Sequence, residues 1–185
     1  DEDWTWDQFG EEAKKFSEAA AGKGIYFAGD SSADINCFRW AAREAGGDNY
    51  TEDGRLGFEE QTMIDFLDMW NTFRDEGAIP DAATASEDGS LALEQRLFSL
   101  GKMVIHNVPI NQLYLYADAM PDNNITAIRI PTAADGTRAE YLEGAHFAIS
   151  SNIDEAHQIA AAKLINFFVN TEQSMELFKM DQGVP

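Results

Sequence analysis

Phe98-Ser99-Leu100-Gly101-Lys102-Met103-Val104-Ile105-His106-Asn107-Val108-Pro109 is the stretch on which the reading of the whole chain turns. It reads as the end of a helix, a Gly-Lys turn, a short apolar strand and a polar mouth closed by proline. Gly101 suits the left-handed position after a helix C-terminus, where a side chain would meet a steric cost. Met103-Val104-Ile105 is too short and too apolar for an exposed edge and predicts a buried strand. His106 and Asn107 then stand where that strand ends. In open α/β sheets, ligands bind beyond the carboxyl ends of the strands. The segment from His106 to Asn111 is therefore the first candidate for a ligand mouth.

Working outward, Leu91 to Leu100 predicts a helix leading into the Gly-Lys turn, and Ala82 to Gly89 a small polar loop. Before them, Glu59 to Glu76 predicts the longest helix. Met63, Phe66, Leu67, Trp70 and Phe73 recur there at three- and four-residue steps, a stripe that reads as core, and Gly77 and Pro80 end it. Ile25-Tyr26-Phe27-Ala28-Gly29 predicts a short buried strand, followed by turn and cap residues Asp30 to Asp34. A helix then runs to about Ala45 and stops at Gly46-Gly47. Because it starts at a strand end, Asp34, Asn36 and Trp40 should face the same mouth as Asn107. The ordinary alternatives are an N-terminal cap for Asp34 and a core aromatic for Trp40. At the start of the chain, Thr5 and Gln8 form a capping box, with Phe9, Ala13, Phe16 and Ala20 on one helix face. Trp4 and Trp6 read as staples of that helix rather than as ligand platforms.

Downstream, Pro109 to Ala119 predicts a short helix, with Pro109 in its first turn and backbone N–H groups open to a ligand oxygen near Asn111. A strand is expected over Ile125 to Pro131. Asn152 to Glu155 reads as a capping box for a helix through Phe168. Ala156, Ile159, Ala160, Leu164, Phe167 and Phe168 are its expected buried face. A last helix begins at Asn170-Thr171.

Four stretches in this order carry a resemblance. They are Thr5-Trp6-Asp7-Gln8-Phe9, Asp75-Glu76-Gly77-Ala78-Ile79-Pro80, Phe98 to Ile105 with Gly101-Lys102, and Gly144 to Ser150. Together the chain resembles the C-terminal lobe of the sugar-type, maltose-binding-protein-like solute-binding proteins of ABC importers, and Gly183-Val184-Pro185 is similar to a motif after which such proteins continue. The resemblance implies an α/β fold: a single lobe of a periplasmic-binding-protein-like fold, with a small mixed sheet flanked by helices. Residues 1–185 would be that C-terminal lobe, with the N-terminal lobe preceding Asp1. It further implies capture of a solute, a saccharide first, in an interlobe cleft and delivery to ABC permease membrane subunits. The place implied is extracellular or periplasmic, as a membrane-anchored lipoprotein. By the resemblance, Gly144 to Ser150 would be a strand, with His146 pointing from it toward the cleft or standing as a partly exposed strand histidine. The ligand-binding candidates are Asp34, Asn36, Trp40, Asn107, Asn111 and His146. One departure stands out: Ile110 occupies a position where the family often has a stacking Trp.

Composition excludes other classes. The chain has 185 residues, 13 Lys+Arg, 33 Asp+Glu and a net charge of −20 at pH 7. Nucleic-acid binding needs a basic face, so no nucleic-acid partner is expected, nor docking on an anionic membrane. The single cysteine, Cys37, cannot form an internal disulfide. No Gly-x-Ser-x-Gly or His-Glu-x-x-His pattern occurs, and carboxylate pairs are too common here to mark an acid/base site. Neither catalysis nor a cofactor is expected. Asp48 to Glu60 carries a partial calcium-loop spacing, but Asn49 and Thr51 stand at two of its ligand positions, and Asp53-Gly54 is an ordinary hairpin signal. The competing reading is a sensor or interaction ectodomain of the same fold, or a binding protein for a non-sugar solute.

Overall fold

The computed structural model describes residues 4–120, 125–142, 144 and 146–178. The chain divides into two compact units, Asp1–Val108 with Leu115–Glu140, and Pro109–Tyr114 with Tyr141–Pro185.

The first unit begins with α1 (Trp6–Ala20). Its start follows from the expected capping box: Thr5 Oγ1 accepts from the Gln8 N–H, and Gln8 Oε1 accepts from the Thr5 N–H. β1 (Tyr26–Ala28) leads into α2 (Ile35–Glu44), then α3 (Glu60–Asp75), α4 (Ala82–Ser90) and β2 (Met103–Ile105). β1 and β2 pair in parallel, Tyr26 opposite Met103 and Ala28 opposite Ile105. A parallel pair needs a long crossover between its strands, and the three intervening helices supply it. On the other edge of β1, the Phe27 N–H donates to the Ala78 carbonyl at 2.8 Å.

The α3 stripe became core, as its periodicity predicts. Phe66, Trp70 and Phe73 are buried, and Phe9, Phe27 and Phe38 complete a cluster of rings meeting largely edge to face. Phe9 touches Phe27 at 5.1 Å and Phe73 at 5.4 Å between centroids, tying α1 to both the sheet and α3. Leu67 of the same stripe is exposed.

Two neighbouring expectations exchanged places. The loop expected over 82–89 is α4, and the helix expected over 91–100 is a single 3-10 turn, Leu93–Gln95, followed by further turns. Alanine favours helix wherever a cap starts one, and Asp81 caps α4 by accepting from the Thr84 N–H at 2.8 Å. Beyond it, side chains satisfy the backbone that a helix would otherwise pair. Asp88 accepts from the Leu97 N–H at 2.6 Å, and Arg96 donates to the Leu91 and Gly89 carbonyls. Gly101 still closes the segment as expected, at φ 68°, with Lys102 N–H bonded to the Leu97 carbonyl and Gly101 N–H to that of Phe98. That pair of bonds is the helix-ending pattern in which a left-handed residue satisfies the last carbonyls.

β2 is less buried than its composition predicts. Met103 is buried but Val104, which points to the opposite face of the strand, is 52% exposed, and β2 has a hydrogen-bonded neighbour on one side only among the described residues. Ile125 to Pro131 forms no strand among the described residues, and a bridge just beyond it joins Thr132 to Thr5.

In the second unit, Ile110–Gln112 is a 3-10 turn with Pro109 at its N-cap. It runs on into α5 (Leu113–Ala119), whose residues from Leu115 onward belong to the first unit. α6 (Glu155–Asn170) packs against α7 (Glu172–Phe178). α6 is capped by Asp154, which accepts from the His157 N–H, not by Asn152. Its expected buried face is open: Ile159, Leu164 and Phe167 are all exposed. The described residues of 144–150 form no strand, and Ala145 and the terminal Gly183-Val184-Pro185 lie outside the described residues. Among the described residues no helix is long and apolar enough to cross a membrane.

Candidate functional site

Parallel pairing places the carboxyl ends of β1 and β2 side by side. Gly29 follows β1 and donates its N–H to the Ile105 carbonyl at 3.0 Å. A Cβ on Gly29 would lie 3.1 Å from His106 Nδ1 and 3.3 Å from Met103 Sδ, so glycine permits this close approach. The loop after β1 is pinned from α3. Arg74 Nη2 donates to Asp30 Oδ2 at 2.7 Å and to Ser32 Oγ at 3.1 Å, and Asp30 Oδ1 accepts from the Ser32 N–H. Burial alone would raise the Asp30 pKa, but the Arg74 guanidinium and Ser32 together hold it below the usual carboxylate range.

The end of β2 is fixed as firmly. His106 Nε2 is 2.9 Å from Tyr116 Oη, and its ring packs with those of Phe98 and Tyr116, at 5.5 and 5.4 Å between centroids. Burial lowers its pKa, so the imidazole is neutral at pH 7. Asn107 Nδ2 donates to Cys37 Sγ at 2.8 Å, tying β2 to α2. Burial, helped by the Asp34 charge, pushes the Cys37 thiol up. The thiol is an acceptor here, not a nucleophile.

A concavity open to solvent lies at these strand ends. Its walls contain Trp4, Trp6, Trp40 and Trp70, all four tryptophans of the chain. Ser31, His106, Asn107 and Arg129 supply its polar side chains. No Asp or Glu lines it among the described residues. Two of the indoles have their N–H groups occupied: Trp4 Nε1 donates to the Arg129 carbonyl at 3.2 Å and Trp6 Nε1 to Glu44 Oε1 at 3.1 Å. Such rings offer a ligand their π faces and C–H edges, the surfaces on which apolar ring faces stack.

Of the residues singled out from sequence, Trp40 and Asn107 line the concavity. Asp34 is the N-cap of α2, accepting from the Asn36 N–H at 2.8 Å, and neither Asp34 nor Asn36 is part of the lining. Asn111, in the 3-10 turn, and His146 are exposed residues of the second unit. Trp4 and Trp6 do act as staples, 5.1 and 5.7 Å from Phe9, yet they line the concavity as well. Sequence reasoning passed over Arg129, which lies within the strand expected over Ile125 to Pro131 and was not singled out there. His106 was visible as part of the strand-end mouth.

Two carboxylates of the calcium-like segment bond within the chain. Asp48 accepts from Arg39 at 2.7 Å and Arg43 at 3.2 Å, while Asp53 accepts from Thr51 and Arg55. Tyr50 and Leu56 form an antiparallel bridge around the Asp53-Gly54 turn, the hairpin that this dipeptide favours.

Comparison with known proteins places this geometry. The profile of the bacterial extracellular solute-binding protein family matches residues 1–185. Among solved structures, the chain is similar to an extracellular solute-binding protein family 1 member from Alicyclobacillus acidocaldarius subsp. acidocaldarius, with a TM-score of 0.71 and 24% identity. That match covers 99% of this chain and 45% of the other, so the chain spans less than half of that protein's length. The shared fold is that of a single lobe of a solute-binding protein.

Proposed function

The chain belongs to the bacterial extracellular solute-binding protein family, and from that premise we propose that it is the C-terminal lobe of a two-lobed protein that captures a saccharide for an ABC importer. The observation that carries this reading is the tryptophan-walled concavity at the carboxyl ends of β1 and β2. Sugar rings present C–H faces that stack on indoles, and hydroxyls that pair with amide, hydroxyl and guanidinium groups. Trp40, Trp4 and Trp6 supply the stacking surface that Ile110 does not. Asn107, Ser31 and Arg129 supply polar contacts. Capture proceeds by closure of a second lobe over the bound solute, driven by contacts made only in the closed form. No bond is made or broken, and the place of action is outside the cytoplasmic membrane, next to a permease.

The test is a thermal-shift and tryptophan-fluorescence screen of the chain against mono- and disaccharides, polyols, amino acids and short peptides. A ligand at a hundredfold its dissociation constant adds about 2.7 kcal/mol of stability. Saccharides are expected to quench the fluorescence and raise the melting temperature, with weak affinity because one lobe supplies only part of the contacts. Trp40→Ala should abolish both effects. Hits confined to amino acids or peptides would overturn the saccharide and leave solute capture standing. A folded sample without any hit, repeated in the two-lobed protein, would favour a sensor or interaction ectodomain.

A further inference from the structure

Glu44 stands where stability alone would not place a carboxylate. It is the last residue of α2, where the unpaired carbonyls and the helix dipole favour a cation. It is half-buried. Its Oε1 accepts the indole N–H of Trp6 at 3.1 Å, across 38 residues of sequence. Trp6 is the wall shared by two spaces. One is the tryptophan-lined concavity, and the other a second, solvent-open cavity bounded also by Glu44, Asp65 and Met69. An indole that borders two spaces lacks part of the dense packing that usually holds a ring in one rotamer. Its orientation then depends on Phe9, which it meets edge-on at 5.7 Å, and on its bond to Glu44.

We propose that Glu44 is a positioning residue of the solute site, holding the Trp6 indole in place as a wall of the concavity. This rests on the solute-capture reading above. The charged surroundings of Glu44 make the hold sensitive to pH. Asp135, in the turn after Thr132, and Asp65 on α3, across the second cavity, are both acidic. Arg43, the neighbouring residue on α2, bonds to Asp48 and to the Ala139 carbonyl. Burial pushes the Glu44 carboxyl up to about 6, against the Trp6 bond that lowers it, with Asp135 raising it further. A carboxylate accepts a hydrogen bond more strongly than a carboxylic acid does. Acidification through that value therefore loosens Trp6, and solute affinity falls with it.

The proposal is tested on the whole chain without any ligand. The indole N–H resonances are followed by nitrogen–proton correlation spectra from pH 4.5 to 8, with Trp6 assigned from Trp6→Phe. The Trp6 signal should titrate with a midpoint near 6 and become pH-independent in Glu44→Gln, which keeps an acceptor oxygen without the charge. Glu44→Ala should move the signal at every pH and make Trp6 easier to quench with acrylamide. A Trp6 signal that does not titrate, or that titrates equally in Glu44→Gln, overturns the proposal. With the saccharide that scores best in the screen, Glu44→Ala should weaken binding about fivefold, the worth of one hydrogen bond. Glu44→Gln should hold affinity at every pH near the value the parent chain shows at low pH, and so remove the pH dependence. Titration of Trp6 with unchanged affinity in Glu44→Ala overturns the positioning role. Titration of Trp6 with no saccharide bound by any form sinks the saccharide reading instead, so the two failures are distinguishable.

Discussion

The two units of this chain use the same apolar periodicity with opposite results. In the first, α3 carries Phe66, Trp70 and Phe73 at helical spacing, and each is about 5% exposed or less. In the second, α6 carries Ala160, Leu164 and Phe167 at the same spacing, and all three are exposed, Leu164 and Phe167 by 66% and 39%. Among the described residues of the second unit only Ser174 is buried. The difference lies in what each stripe meets. α3 faces rings from α1, β1 and α2. α6 packs on α7, and Phe147 meets Phe168 at 5.0 Å. A helix pair with one added ring cannot enclose a stripe that three elements can. Amphipathic spacing states which face could be buried, and the number of facing elements decides whether it is.

The sharpest way to break this comparison is to truncate one residue in each stripe. Phe66→Ala should cost about 3–5 kcal/mol, the usual cost of emptying a ring-sized site in a packed core. Leu164→Ala, on an exposed face, should stay within about 0.5 kcal/mol. Urea unfolding of both variants checks this, and equal losses would show that α6 is as well enclosed as α3.

Next in size is the pin at the strand ends. Asp30 is 7% exposed at its side chain and bonds Arg74, so Asp30→Asn should cost about 2 kcal/mol, as a charged hydrogen bond is lost. Its folded pKa lies below the ordinary carboxylate value. The Asp30 contribution is therefore complete above that ordinary value and disappears as pH falls through the lower, folded one. Glu44 has the opposite sign. Its folded pKa is raised from 4.5 to about 6, so its ionisation lowers stability as pH rises between those values, and acidification across that window recovers it. Melting temperatures measured from pH 3 to 8 should show Asp30→Asn flattening the acid limb and Glu44→Gln flattening the interval between 4.5 and 6. The reverse assignment would overturn both signs.

The smallest effect within the first unit belongs to the Thr5–Gln8 box. Thr5→Ala should cost about 1 kcal/mol. Because Thr5 also bridges to Thr132, the same change should raise hydrogen exchange at the Thr132 N–H, which bonds to the Trp4 carbonyl. A change in stability without faster exchange there would confine the role of Thr5 to the cap.

Local rules were legible wherever the decisive partners sit within a few residues. The capping box at Thr5, the left-handed Gly101, the Asp34 cap and the α3 stripe all depend on neighbours along the chain. The exchange between α4 and the 91–100 segment was not legible, because Asp88 reaches the Leu97 N–H nine residues away and no periodicity reports such a bond. The candidate site divides in the same manner. Trp40 and Asn107 follow from standing at a helix start and a strand end. Trp4, Trp6 and Arg129 join them through the pairing of Thr5 with Thr132, which are 127 residues apart in sequence.

By itself, then, the sequence determined the family and the fold of a solute-binding lobe, the two short strands and the place where they end. Those features rest on periodicity, caps and glycine positions, whose physics is local. Only the tertiary structure decided which side chains share the concavity and that Glu44 takes the Trp6 indole. Each of those outcomes depends on a hydrogen bond or a shared wall between segments that only the folded chain brings together.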